Sequence, residues 1–408
     1  MSRRWLWAGL AAILAVGMMP GEKRVVFPAT AKPIGPYSPG ISAGEYLYVS
    51  GQGAKRADGQ LPPTFEEQAK QCFENVKSIV ATGGLTMEHV VYTQVYLDNS
   101  ANYDAMNKVW AQYFTGKIPP ARATIGVHQM PGGTPIEISA VAVKDLARKK
   151  AVVPAGYPPN ATLSPGVMVG DRLYLSGFLG RDINTGKIPD DPSAQVQLAL
   201  DRLELTLKAA GMGFQHLVFV NPYLTSRVPM DAMNKVYARN FKFGDTPARA
   251  TIQVASLPNG ANIEFTGIAV RDLSKRRAVR PKNMPPSPTA SPCVFAGDTL
   301  YCSAKSGFIP GANGGIFAES VEDQVRQTMR NLLDGLEEAG MDFSNVVASN
   351  VYVDQLDEFT KMNGVYGKYF PTAPPTRTTV SPLPPVERGR TASGHFPMIE
   401  QVSIVAVK

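Results

Sequence analysis

One stretch of this chain is written three times, and no other feature restricts its fold as much. YDAMNKVWAQYF at 103–114 returns as MDAMNKVYARNF at 230–241 and, more loosely, as FTKMNGVYGKYF at 359–370. PPARATIGV at 119–127 returns as TPARATIQV at 246–254 and as PPTRTTVSP at 374–382. IEISAVAVKDL at 136–146 has counterparts in IEFTGIAVRDL at 263–273 and in the terminal EQVSIVAVK. Gln68, Gln195 and Gln324 also correspond. The blocks keep their order, and the first two follow one another at shifts of 127 to 129 residues, so the 408 residues resolve into tandem copies of one unit. The expected domains are 23–148, 149–276 and 277–408. The basic clusters Arg148–Lys150 and Lys275–Arg277 fall at the junctions and read as short solvated linkers.

Residues 1–22 stand outside the repeat. MSRR is a basic start, Trp5–Val16 is a compact apolar run, and Ala15 and Gly17 give small residues for cleavage after Gly17. The segment is expected to be an export signal, which places the protein in a periplasm or outside the cell. An uncleaved N-terminal anchor is the alternative, and Ser2-Arg3-Arg4 weakly resembles a twin-arginine signal. No other long apolar run exists, which excludes a polytopic membrane protein. Four histidines, three cysteines and no CxxC or HxxxH pair argue against a zinc hydrolase or a Cys–His protease. The net charge of +7 is modest for this length and does not by itself imply nucleic-acid binding.

Each unit shares one local grammar. Gly44-Glu45, Gly170-Asp171 and Gly297-Asp298 read as two-residue hairpin loops. Tyr46–Ser50 is the strand after the first. Thr64-x-x-Glu67 is a capping box for a helix over 64–81, with Ala69, Cys72, Phe73, Val76 and Val80 as its apolar stripe and Gly83-Gly84 as its stop. Cys72 on that stripe reads as core. Val90–Leu97, Ala123–Val127 and Ile136–Val143 are strands, and Ala101–Phe114 is a second helix with Met106, Val109, Trp110 and Tyr113 inward. The order ββαβαββ gives an α+β fold with helices on one face of a mixed sheet.

The chemistry-bearing residues repeat with the fold. Arg122, Arg249 and Arg377 each follow a Pro-rich bend and open a strand, where a guanidinium can present a planar fork to a carboxylate. A structural arginine bound to a local glutamate or loop carbonyls is the competing reading. Glu137 and Glu264 lie 15 residues after their arginines. Such a carboxylate can orient or deprotonate a water, or simply pair with the arginine. The third unit differs: Gln401 takes the aligned place, with Glu400 beside it, 24 residues after Arg377. An amide cannot act as a base.

These residues resemble the Rid family, also called YjgF/YER057c/UK114. The resemblance is carried by KPIGPYSPG (32–40), LYVSGQ (47–52), the Met106-Asn107 helix, PPARATI (119–125) and IEISAVAV (136–143). It implies three chorismate-mutase-like domains packed as an intrachain pseudo-trimer, with ligand clefts between neighbours. It also implies hydrolysis of reactive 2-imino and enamino acids to 2-keto acids and ammonia, without metal or cofactor. By the family motif, Arg122 is the carboxylate-binding residue and Glu137 its acidic partner. Tyr37, Ser50, Gly51 and Asn107 match cleft positions. In the second unit Arg249, Glu264, Ser176, Gly177 and Asn234 match, with Leu163 in place of the tyrosine. In the third, Asn363, Arg377 and Ser303 match, but Ala290 and Ala304 replace tyrosine and glycine. The first unit carries the full set, so Arg122 is expected to matter more than Arg377. The partners implied are small 2-imino or 2-keto acids, with the single chain as a monomer and no nucleic acid. A carboxylate-binding protein without turnover and an endoribonuclease, a label some relatives carry, are the alternatives.

Cys293 and Cys302 flank the third hairpin loop. Counting outward from Ala296 and Thr299 sets them directly opposite at a non-hydrogen-bonded pair, where Cα atoms stand about 4.5 Å apart, within disulfide reach. They form a candidate disulfide, or they are two small apolar strand residues that never pair.

Overall fold

The computed structural model describes residues 23–157, 162–282, 284–311, 314–390 and 394–408, so the expected export segment lies outside the described residues. The first unit runs β1 (Arg24–Val26), β2 (Gly40–Ala43), β3 (Tyr46–Gln52), α1 (Phe65–Thr82), β4 (Val90–Leu97), α2 (Tyr103–Tyr113), β5 (Ala121–Gly126) and β6 (Ile136–Val143). The second comprises β7 (Lys149–Val152), β8 (Gly166–Val169), β9 (Arg172–Leu179), α3 (Pro192–Ala209), β10 (Leu217–Leu224), α4 (Met230–Tyr237), β11 (Ala248–Arg249), β12 (Ile252–Gln253) and β13 (Ile263–Val270). The third comprises β14 (Arg276–Val279), β15 (Cys293–Ala296), β16 (Thr299–Ser306), α5 (Val321–Glu338), β17 (Val346–Val353), α6 (Phe359–Tyr366), β18 (Thr376–Val380) and β19 (Glu400–Val407).

Each unit forms one mixed sheet of the same order, β1-β2-β3-β6-β4-β5 in the first. Only β4 and β5 run parallel, because a helix separates them and carries the chain back. The hairpin loops fall as read: Ala43 pairs Tyr46, Val169 pairs Arg172 and Ala296 pairs Thr299, with positive φ at Gly44, Gly170 and Gly297. Thr64 and Glu67 close the capping box of α1, and Ala69, Cys72, Phe73, Val76, Ile79 and Val80 are buried against the sheet. Gln68, Gln195 and Gln324 brace the three long helices alike, each Nε2 donating to a carbonyl six residues back at 2.7 Å. The helices cover one face of each sheet, and each unit has its own core there.

The opposite faces meet one another. Ile41 and Tyr48 of the first unit, Val167 and Tyr174 of the second and Val347 and Val407 of the third share one buried cluster. Hydrogen bonds tie the edges in a ring. The Arg122 amide donates to Ser176 Oγ at 2.9 Å, the Arg249 amide to Ser303 Oγ at 2.8 Å, and the Arg377 amide to Ser50 Oγ at 2.9 Å. Each unit therefore grips the next, and the third returns to the first.

The basic junctions are not solvated linkers. Lys149 and Lys150 belong to β7, and Arg276 and Arg277 to β14, each an added edge strand that leads its sheet. Lys149 Nζ is buried and donates at 2.7 Å to the Glu88 and Val90 carbonyls of the preceding unit. Arg276 Nε donates to the Leu217 carbonyl at 2.9 Å, and Lys23 Nζ to the Val346 carbonyl at 2.7 Å. The cations satisfy backbone carbonyls where the neighbour's central strand begins, which a charge count cannot reveal.

A disulfide joins Cys293 to Cys302 across the register pair, with Cα atoms 4.0 Å apart, and Cys72 is buried in the α1 core. Its loop is short, so reduction is expected to cost at most about 2–3 kcal/mol. Denatured, unreduced protein is expected to titrate one thiol and reduced protein three. Three thiols before reduction would show that the bond does not form.

Candidate active site

The arginine of each repeat is set by its own backbone. Arg122 pairs Thr93 along β4–β5, Arg249 pairs Val220 and Arg377 pairs Ser349, and the amide of each is held by the next unit's serine. An aromatic ring from the unit's second helix lies beneath each guanidinium: Trp110 at 4.5 Å, Tyr237 at 5.1 Å and Tyr366 at 5.0 Å. These rings read as plain core in the sequence. Their shared eighth place in each repeated helix block was the available signal. Ser50 and Ser176 were expected to touch ligand. Each is buried and instead donates to a carbonyl, Ser38 O at 2.6 Å and Ser164 O at 2.7 Å, while accepting the neighbouring arginine's amide. With donor and acceptor both engaged, they position the arginine strand.

The acidic residues follow from register. Glu137 stands opposite Tyr96, Glu264 opposite Tyr223 and Gln401 opposite Tyr352. Gln401 is thus the structural equivalent of the two glutamates. Glu400 takes the core position of Ile136 and Ile263, where it accepts a hydrogen bond from Thr328 Oγ1 on α5. Gly51 and Gly177 are needed beside the carboxylates, because a Cβ at either would collide with Glu137 or Glu264 Oε1. Where the third unit carries Gln401, Ala304 fills that room.

The arrangement corrects the expected pairing. Arg122 does not share a cleft with Glu137. The guanidinium whose charge acts on Glu137 is Arg377, and the one that acts on Glu264 is Arg122. Neither pair closes to an ion pair within 4.0 Å among the described residues, so the simple Arg–Glu bridge is absent.

The three clefts consequently differ. Between the third and first units, Arg377, Phe359 and Thr379 face Tyr37, Gly51 and Glu137 across a cleft of about 600 Å³. Arg377 is 3% exposed and its Nη1 has no hydrogen-bond partner. Tyr37 and Phe359 flank it at 5.3 and 5.4 Å. Gly35 passes so close that a Cβ there would lie 2.6 Å from Arg377 Nη2 and 3.0 Å from the Asn363 amide nitrogen. Between the first and second units, Arg122 Nη2 donates to Tyr103 Oη at 3.3 Å, Glu264 is buried with Oε1 unpartnered, and the Asn107 amide oxygen is buried without a partner. Between the second and third, Arg249 Nη1 donates to Asn234 Oδ1 at 2.7 Å and faces no glutamate equivalent. Among the described residues, no group of three or more His, Cys, Asp or Glu comes together to hold a metal.

Burial raises the Glu137 and Glu264 carboxyls to about 8, with the facing arginine pulling each back down. In the folded chain each therefore holds a proton that the unfolded chain releases near its ordinary carboxylate range. Their contribution to stability is full below about pH 4.5 and lost as pH rises through about 8. Melting between pH 5 and 8 is expected to show a decline, and Glu264→Gln to remove about 3–4 kcal/mol of it. An unchanged decline in the variant would contradict a proton held at Glu264.

The sequence profile of the family described as Endoribonuclease L-PSP matches residues 28–144, 155–271 and 283–383. A RutC family protein of Saccharolobus solfataricus is 38% identical over 125 residues, covering 30% of this chain and 98% of its own length. The 2-iminobutanoate/2-iminopropanoate deaminases of Mus musculus and Dermatophagoides farinae are 37% and 32% identical, each over 30% of this chain and over 92% and 96% of their own lengths. The solved structure of the YjgF gene product of E. coli is 31% identical over 30% of this chain and 99% of that one, with a TM-score of 0.29. With all three units matched by the family profile and one by a relative 38% identical along nearly its whole length, the chain belongs to the RutC/YjgF (Rid) family as three tandem copies.

Proposed function

We propose that the chain hydrolyses 2-imino acids to 2-keto acids and ammonia, chiefly in the cleft between the third and first units, acting as a single-chain pseudo-trimer. The observation that carries this reading is the buried Arg377 guanidinium with an unpartnered Nη1 in the same open cleft as Glu137. A 2-imino acid offers a carboxylate beside an electrophilic C=N. Its carboxylate docks on Arg377, with Tyr37 and Phe359 excluding water from the guanidinium faces. Water hydrogen-bonded to Glu137 then adds to the imine carbon. The C–O bond forms as Glu137 protonates the imine nitrogen, and the carboxylate takes back the proton that water loses. Reversal of these roles moves a proton to the amino group, breaks the C–N bond and leaves a ketone and ammonia. A carboxyl raised to about 8 suits both steps near neutral pH, because a group can give and take protons best close to its own pKa. Positioning a labile substrate beside an ordered water supplies the rest. The two relatives named as imine deaminases favour the same chemistry.

Ligand capture without turnover fits the cleft between the second and third units, where Gln401 and Ala304 take the places of glutamate and glycine. The basic start and compact apolar run of residues 1–22 support export from the cytoplasm.

Arg377→Ala is expected to lower kcat/KM for 2-iminobutanoate at least about 100-fold, as loss of a charge-stabilising donor typically does. Arg122→Ala, in a cleft where Leu163 replaces the tyrosine, is expected to lower it by less. Equal losses, or a larger loss from Arg122→Ala, would sink the assignment. Sedimentation is expected to give a species of one chain mass, 43.9 kDa before any processing, and a species of three chain masses would contradict the pseudo-trimer.

A further inference from the structure

The open cleft carries a second charged region that the chemistry above does not use. Its outer wall is formed by the loop that follows β3, where the Arg56 amide donates to the Gln60 carbonyl at 2.9 Å. Lys55 and Arg56 of this loop line the cleft. Both are exposed, and neither side chain enters an ion pair or hydrogen bond among the described residues. The loop is nonetheless built in place. Lys32 Nζ donates to the Ala57 carbonyl at 2.6 Å, and the Lys55 side chain lies along Gly132, its Nζ 3.2 Å from where a Cβ would stand. Of the acids nearby apart from Glu137, Glu74 is already held by the Tyr113 hydroxyl at 2.9 Å and by Lys77, and Asp58 of the same loop accepts from the Gln60 amide at 2.9 Å.

The other two units carry different residues at these two positions. The same loop, closed by the Asp182 amide on the Lys187 carbonyl and by the Ile309 amide on the Ile316 carbonyl, places Arg181 and Asp182 in the second unit and Phe308 and Ile309 in the third. Among the described residues, two adjacent free cations therefore belong to one cleft alone, and it is the one that combines Tyr37, Glu137 and an unpartnered arginine. Its volume of about 600 Å³ lies in the usual range of small-molecule sites, about 300–1,000 Å³, and far exceeds the needs of a three- or four-carbon acid.

We propose that this cleft selects 2-imino acids and 2-oxo acids that bear a second carboxylate at the end of the side chain, with Arg377 on the first carboxylate and Lys55 and Arg56 on the second. The inference rests on the imine-hydrolase reading of the same cleft. Cations at a rim favour an anion over a neutral methyl group through charge-assisted hydrogen bonds, and because they are exposed the preference weakens with salt.

The test is calorimetric binding of 2-oxoglutarate and 2-oxobutanoate to the full chain at low salt, for wild type and for Lys55→Ala/Arg56→Ala. Wild type is expected to bind 2-oxoglutarate about tenfold more tightly, and the double variant to reduce that ratio to about twofold or less. Raising the ionic strength is expected to shrink the wild-type ratio in the same direction. A wild-type ratio below twofold, or one that survives the double substitution, overturns the inference. Melting of the variant checks that it folds, and both sites are exposed. Turnover of 2-iminobutanoate, assayed separately, tests the hydrolase reading: its absence with the binding ratio intact would remove the reaction and leave the dicarboxylate selectivity standing.

Discussion

The bond from each repeated arginine's amide to a serine on the next unit is the contact on which fold and site both depend. The arginine strand lies at the edge of its own sheet, so its outward amide needs a partner from outside the unit. Left buried and unpaired, such an amide would cost about 1–3 kcal/mol. Ser50, Ser176 and Ser303 meet that need while donating to their own chain at Ser38, Ser164 and Ser291. The bond fixes the direction in which the units follow one another. It also sets the arginine side chain of one unit against the final strand of the next. A complete site therefore cannot exist within one repeat, however complete that repeat looks as sequence.

This geometry explains how the clefts diverged. Glycine at 51 and 177 exists to admit a carboxylate, so loss of the acid removes the need for the glycine, and Ala304 with Gln401 is the resulting pair. Tyr37 of the first unit covers the arginine of the third, so the eroded third repeat still contributes half of the best-furnished cleft. Erosion counted repeat by repeat misplaces the loss. Counted by cleft, the third unit's changes fall on the side that faces Arg249, while its Arg377, Phe359 and Asn363 keep their places beside the first unit.

Much of this was legible in the sequence because it is local. The hairpin loops, the capping box, the strand over 90–97 and the opposition of Cys293 and Cys302 each follow from spacing within one element or one turn. What escaped was non-local. Lys149 and Arg276 look like linker charges until the carbonyls at the start of a neighbouring strand are known, and Ser50 looks like a ligand contact until its partners are seen. The pairing of Arg377 with Glu137 escaped for the same reason: 240 residues separate them, and periodicity within a unit carries no information about which neighbour it meets.

A single chain alters what each of these residues can become. In a trimer of identical subunits, any change at the acid, the covering tyrosine or the rim loop appears in all three clefts at once. Here each position is written once, so Lys55 and Arg56 can sit at one rim while Phe308 and Ile309 occupy another. The shared requirements are backbone ones: the serine clasp, the aromatic ring beneath the arginine, and the basic residue reaching the start of the neighbour's central strand. Those persist in all three units, as lysine at 23 and 149 and arginine at 276 illustrate. The groups that face the open space of each cleft are under no such common constraint. Substitutions that would unmake the ring are therefore excluded everywhere, whereas substitutions that change what a cleft binds act on that cleft alone.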